Sequence, residues 1–141
     1  MSIWKQTPTI ERLTANHHNT AAASLGIEFL EVGGDFLRGR IPVDGRTKQP
    51  YGILHGGASV VLAETLGSCA AAGCVPPGHR VVGLDINANH IRGATEGWVT
   101  GTARPVHVGR STQVWQIDMV NDAGETTCVS RLTMAVLAPR P

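Results

Sequence analysis

The longest apolar stretch of the chain, HGGASVVLAETLGSCAAAG, runs from His55 to Gly73 and holds one acidic side chain, Glu64. It is made of glycine, small residues and aliphatics, which predicts a helix from Gly56 to Gly73. Such a helix is roughly 27 Å long at 1.5 Å per residue. A helix apolar on all sides is expected to be buried. Pro76-Pro77-Gly78 ends any continuation. Upstream, Ile27 to Val32 and Phe36 to Val43 read as two strands joined by a Gly33-Gly34-Asp35 turn. Downstream, Val81 to Ile91, Gly97 to Val108, Gln113 to Val120 and Thr126 to Leu137 read as four more. Trp115, Ile117 and Met119 share one face of their strand, and Gln116 and Asp118 the other, the period of a sheet covered on one side. The alternation breaks at Gln113, which falls on the apolar face, and Val114, which falls on the polar one.

The remaining segments are short. Thr7-Pro8 reads as a cap followed by proline at the first helical position, opening a helix through Leu13. Ala21 to Leu25 forms a second short turn stopped by Gly26. Asp44 to Leu54 is a polar loop with Gly45, Pro50 and Gly52. The order is two strands, one long helix, then four strands joined by short turns, which implies antiparallel neighbours. One helix covers only one face of such a sheet. The expectation is therefore an α+β fold, with a curled antiparallel sheet wrapped around one long central helix and an open edge paired with a second subunit.

Composition narrows this picture. The 141 residues suggest a single domain, and 42% hydrophobic with only 4% aromatic residues implies an aliphatic core. A net charge of +1 gives no reason to expect nucleic acid or membrane as a partner. Cys69, Cys74 and Cys128 make an odd count without CxxC, so neither a disulfide scaffold nor a zinc site is expected. The N-terminus lacks a signal-peptide pattern, and no apolar run reaches the ~20 residues that span a bilayer, so the expected location is cytoplasmic.

Glu64 is the first chemical candidate. A desolvated carboxylate suits a general base or nucleophile; alternatively it is a structural carboxylate paired with an Arg or His. Glycines at a helix start, as in His55-Gly56-Gly57, let the backbone approach a ligand, and free N–H groups there favour an oxyanion. The eight-residue spacing from Gly56 to Glu64 leaves room for a small acyl group. Ser68 shares the face of Glu64. Gln49, in the preceding loop, can donate a hydrogen bond to a carbonyl. His90 ends a strand, and Arg92 and Arg110 suit phosphate. His17-His18 has no partner at ligand spacing and reads as surface. No P-loop, G-x-G-x-x-G or G-x-S-x-G occurs, which removes those nucleotide and serine-hydrolase readings.

The block from Pro42 to Ser59 (PVDGRTKQPYGILHGGAS), continuing through Ala63-Glu64-Thr65-Leu66-Gly67-Ser68, resembles the hotdog-fold acyl-CoA thioesterases. VGLDINANH from Val82 to His90, Pro105 to Gly109 and Val114 to Ile117 extend the likeness across almost the whole chain. The resemblance implies a hotdog fold, dimers paired into a homotetramer, and active sites at the dimer interface. It implies Glu64 as the catalytic carboxylate, acting as nucleophile or through water. It implies that the Gly56 N–H and Gln49 polarise the thioester carbonyl, that His55 lies beside the thioester, and that Ser68 places the water. Coenzyme A is expected on Gly83, on His90, Ile91, Arg92 and Gly93, and on the turn His107, Val108, Gly109, Arg110, Ser111 and Thr112. No metal or cofactor is expected. Cys69 and Ala71-Ala72 depart from the family pattern where the acyl pocket is expected. The expected activity is hydrolysis of aromatic or related acyl-CoA thioesters, of 1,4-dihydroxy-2-naphthoyl or hydroxybenzoyl type; a hydratase or dehydratase on the same fold and a non-catalytic acyl-CoA binding module are the alternatives.

Overall fold

The computed structural model describes residues 2–141. The elements in chain order are α1 (Ile10–Asn16), α2 (Ala21–Ser24), β1 (Glu28–Val32), β2 (Leu37–Pro42), α3 (Gly56–Gly73), β3 (Arg80–His90), β4 (Trp98–Val108), β5 (Thr112–Val120) and β6 (Thr126–Leu137). One six-stranded sheet has the order β1-β2-β4-β5-β6-β3, and every pairing in it is antiparallel. This is the expected hotdog arrangement, with α3 contacting β2, β3, β4, β5 and β6.

Two local expectations change. The first helix is capped by Thr9, whose Oγ1 accepts from the Arg12 N–H at 3.2 Å, so it starts at Ile10 rather than Pro8. Succession also fails once. The free side of β4 is already paired with β2, so β3 does not lie beside β4 but pairs with β6 at the far edge. This leaves the outer side of β3 as a sheet edge. A bulge between Gly83 and Asp85 pushes Leu84 out of the ladder, where it is 62% exposed.

The core forms on the concave side of the sheet. Leu62, Leu66, Ala63 and Ala70 of α3 are fully buried with Ile117 and Leu132. Gly39 and Gly101 face each other across β2 and β4. Leu66 fills the space above both, since a Cβ on either would come within 2.8 or 3.0 Å of its methyl groups. The break in alternation at Gln113 has a cause. Gln113 is fully buried on the inner face. Its Oε1 accepts from the Trp115 indole N–H at 2.7 Å, and its Nε2 donates to the Ala71 carbonyl at 3.3 Å. A polar side chain here satisfies both the largest core residue and the last turn of α3.

The helix is not buried on all sides. A single sheet wraps one side of it, and Val60, Val61, Glu64, Thr65, Ser68 and Cys69 form a half-covered stripe, with Gly57 and Ala72 exposed. No helix among the described residues is long and apolar enough to cross a membrane.

Candidate active site

The loop before α3 is a small, tightly bonded device. Thr47 is buried, and its hydroxyl donates to the Pro42 carbonyl at 2.7 Å. Lys48 and Leu54 form a bridge that closes the loop. Inside it the Gln49 N–H donates to the Ile53 carbonyl, and the Gly52 N–H donates to the Gln49 carbonyl, both at 2.9 Å. Gly52 has a φ of +81°, a left-handed conformation natural to glycine. The Tyr51 N–H donates to Gln49 Oε1. With its oxygen taken, the group Gln49 has left to offer is its NH2, a donor.

His55 caps α3. Its Nδ1 accepts from the Gly57 N–H at 2.8 Å. The ring therefore carries its proton on Nε2 when neutral. The His55 carbonyl takes the Ala58 and Ser59 N–H groups, at 3.0 and 3.1 Å. The Gly56 N–H is left without a partner among the described residues, at the positive end of an 18-residue helix. The His90 ring lies against Gly56, where a Cβ would come within 2.9 Å of His90 Nε2.

Gln49, Gly56, Ser59, His90, Ile91, Arg92, Gly93 and Thr127 line one cleft of about 320 Å3. The structure thus brings Gln49 and Gly56 together with the whole His90 to Gly93 segment. Arg92 reaches Glu125 at 3.5 Å across the rim. Thr127 and Ser59 are additions that the sequence did not single out. Both are buried, and Thr127 Oγ1 has no hydrogen-bond partner among the described residues. Only the sheet register, which sets the Ile91 N–H on the Thr127 carbonyl at 2.8 Å, brings Thr127 here.

Glu64 and Ser68 stand elsewhere. They line a separate groove of about 340 Å3 with His17, Val61, Thr65 and Cys69. Glu64 makes no ion pair among the described residues, so the structural reading of this carboxylate finds no partner. Its Oε2 lies 2.7 Å from where a Cβ of Gly83 would stand, so only glycine leaves this carboxylate its place. The Ser68 hydroxyl contacts Met134 Sδ at 3.8 Å. His17 is not a surface residue as its sequence neighbours suggest. It is half-buried, with Nδ1 at 2.8 Å from the Leu13 carbonyl and Nε2 at 3.7 Å from Cys69 Sγ. Burial pushes the Cys69 thiol up to about 12, so it is a protonated wall of the groove and no nucleophile.

The third group, His107 to Thr112, is an exposed turn closed by the Gly109 N–H on the Thr112 carbonyl at 2.9 Å. Val108, Gly109 and Arg110 border Cys74 at the C-terminal end of α3. Within one chain the candidate residues therefore fall into three places. Along α3, Glu64 is about 12 Å from Gly56.

Comparison with known proteins places this geometry. The model of the thioesterase superfamily matches residues 51–128. The chain is 50% identical to the 1,4-dihydroxy-2-naphthoyl-CoA hydrolase of Escherichia coli over 135 residues, 96% of this chain and 99% of that one. It is 46% identical to the proofreading thioesterase EntH of Cronobacter turicensis, over 96% of this chain and 98% of the other. The crystal structure of a mutant thioesterase (Q49A) from Pseudomonas aeruginosa superposes with a TM-score of 0.95 at 50% identity, covering 96% of this chain and 99% of that one. With relatives that hydrolyse thioesters, the hydratase and binding-module readings give way. The chain belongs to the thioesterase superfamily and is a thioester hydrolase.

Proposed function

We propose that the protein hydrolyses aromatic acyl-CoA thioesters in the cytoplasm, and that two copies of the chain complete each active site. The observation that carries this reading is the unpaired Gly56 N–H in the same cleft as Gln49, whose carboxamide has its NH2 left to donate. Two donors at a helix start suit a thioester oxygen that gains negative charge under attack. Glu64 supplies that attack, either on the carbonyl carbon or through a water held near Ser68.

One chain cannot bring Glu64 to its own Gly56, because both are fixed on one rigid helix. A second copy can. In each chain Gly56 sits against His90, and Glu64 against Gly83. With two α3 helices antiparallel, and Glu64 of one beside Gly56 of the other, the two-fold axis passes residue 60. The same operation sets Gly83 opposite His90 along the free edges of two β3 strands, with the axis between Ile86 and Asn87. One register thus serves both the helix pair and the strand pair. It covers an open sheet edge and the apolar Val60 and Val61. In this pairing the partner's α3 extends about 14 Å past Gly56, nine residues beyond Glu64. Its His107 to Thr112 turn then lies near the distance a pantetheine arm spans. Arg110 there, and Arg92 at the cleft rim, suit the phosphates of coenzyme A. His55 borders the thioester with its Nε2–H. Pairs of such dimers form a tetramer.

The test is free thiol release from a panel of aryl and alkyl acyl-CoAs. Glu64→Ala is expected to lose roughly 10²–10⁴-fold in rate. Mixing Glu64→Ala with Gln49→Ala subunits, after dissociation and reassociation, is expected to restore about a quarter of wild-type activity, because half the dimers then carry one intact site. No recovery on mixing rules out the shared site. No thiol release from any ester rules out the substrate class.

A further inference from the structure

The groove beside Glu64 has a constructed wall that thioester hydrolysis itself does not require. His17 Nδ1 lies 2.8 Å from the Leu13 carbonyl, which can only accept, so Nδ1 carries the hydrogen. The neutral ring then presents a bare Nε2, an acceptor. The ring packs on Phe29, with centroids 5.0 Å apart and planes at 54°. It is therefore held from two sides. The neighbour of Nε2 is Cys69 Sγ at 3.7 Å, and a thiol is a weak donor. Around this nitrogen the groove offers Val61, Thr65 and Ser68, small side chains that leave about 340 Å3 open next to the Glu64 carboxylate.

We propose that this groove is the acyl pocket, and that His17 Nε2 accepts a hydrogen bond from a hydroxyl on the acyl group and so selects hydroxyaryl thioesters over unsubstituted ones. The inference rests on the reading of Glu64 as the attacking carboxylate, because the acyl group must lie against that side chain. A hydroxyl is a better donor than the Cys69 thiol and displaces it from Nε2. A plain aryl ring leaves the thiol contact in place and gains nothing from the histidine. A site built to bond a substrate hydroxyl discriminates against the analogue that lacks it.

The experiment compares kcat/KM for benzoyl-CoA and its monohydroxy derivatives in wild type, His17→Phe, His17→Asn and His17→Gln. The ratio of two substrates on one preparation does not depend on how much of it is folded. Wild type is expected to prefer at least one hydroxybenzoyl ester. His17→Phe keeps a ring on Phe29 but has no nitrogen; its hydroxybenzoyl-over-benzoyl preference is expected to fall about tenfold. His17→Asn keeps a donor for Leu13 without the distal acceptor, and also loses the preference. His17→Gln carries a carbonyl oxygen to the distal position and keeps most of it. A wild type without preference, unchanged ratios in the variants, or a loss shared equally by plain and hydroxylated esters overturns the proposal. Failure of wild type to release thiol from any ester overturns the substrate reading instead, so the two failures are distinct.

Discussion

The two sides of α3 contrast. The side facing the sheet is closed, with Leu62, Ala63, Leu66, Gly67 and Ala70 all buried. Gly67 packs so tightly that a Cβ there would come within 2.6 Å of Leu132. The other side carries Glu64, Thr65, Ser68 and Cys69, each left partly open to solvent. One side is bound by volume and the other by chemistry. A residue on the closed side is therefore expected to set stability and, with Glu64 in its proposed role, one on the open side to set rate.

The strongest test of that division is Glu64→Gln. Turnover is expected to fall roughly 10²–10⁴-fold, with the urea midpoint unchanged; a large drop in midpoint would mean the carboxylate also holds the fold. The converse is Leu66→Ala. It empties the space over Gly39 and Gly101, and chemical denaturation is expected to show a loss of about 2–5 kcal/mol. Turnover per folded molecule should stay near wild type. Gly83→Ala sharpens the contrast. Its methyl group meets the mobile end of Glu64, so stability should barely move while kcat falls by up to about a hundredfold through misplacement of the carboxylate. Rescue of that loss by a second change to a shorter acid, Glu64→Asp, would support the steric cause. On the closed side again, Gln113→Leu leaves the Trp115 indole N–H unpaired. Its expected cost is about 1–3 kcal/mol in the unfolding free energy, without a change in KM.

The smallest effect is one of pH. Burial raises the thiol of Cys69 to about 12 and that of Cys74 to about 11, and raises Cys128 as well. A group whose folded value lies above its unfolded one contributes stability that is complete below the unfolded value, near 9 for a thiol, and that fades as pH rises above it. Unfolding midpoints measured upward from neutral pH should hold and then decline past that point. The decline should be shallower in Cys69→Ala.

The closed side was far more legible in sequence than the open one. The limits of α3 and β6 follow from their apolar runs and from the Pro76-Pro77-Gly78 stop. Strand pairing was only partly readable, because β3 joins β6 across a connection whose destination no local pattern encodes. Glu64 stood out as a lone charge, and Gly56 as part of a glycine pair before a helix. His17 did not, because its role depends on α1 folding back over Phe29 and Cys69. Thr127 had no signal in its own strand, and its place in the cleft comes from register alone. The turn at His107 to Thr112 was readable as a donor-rich tip, yet its distance from Gly56 was not.

Gln113 carries a consequence for how this chain can change over time. A lineage that drops the carboxamide first strands an indole proton in a dry interior, and one that drops the indole first strands an oxygen. Either single step passes through a weakened ancestor, whereas a joint replacement by two hydrocarbons avoids that intermediate. Positions 113 and 115 are therefore expected to drift together, locked as a pair while the surface around them varies freely.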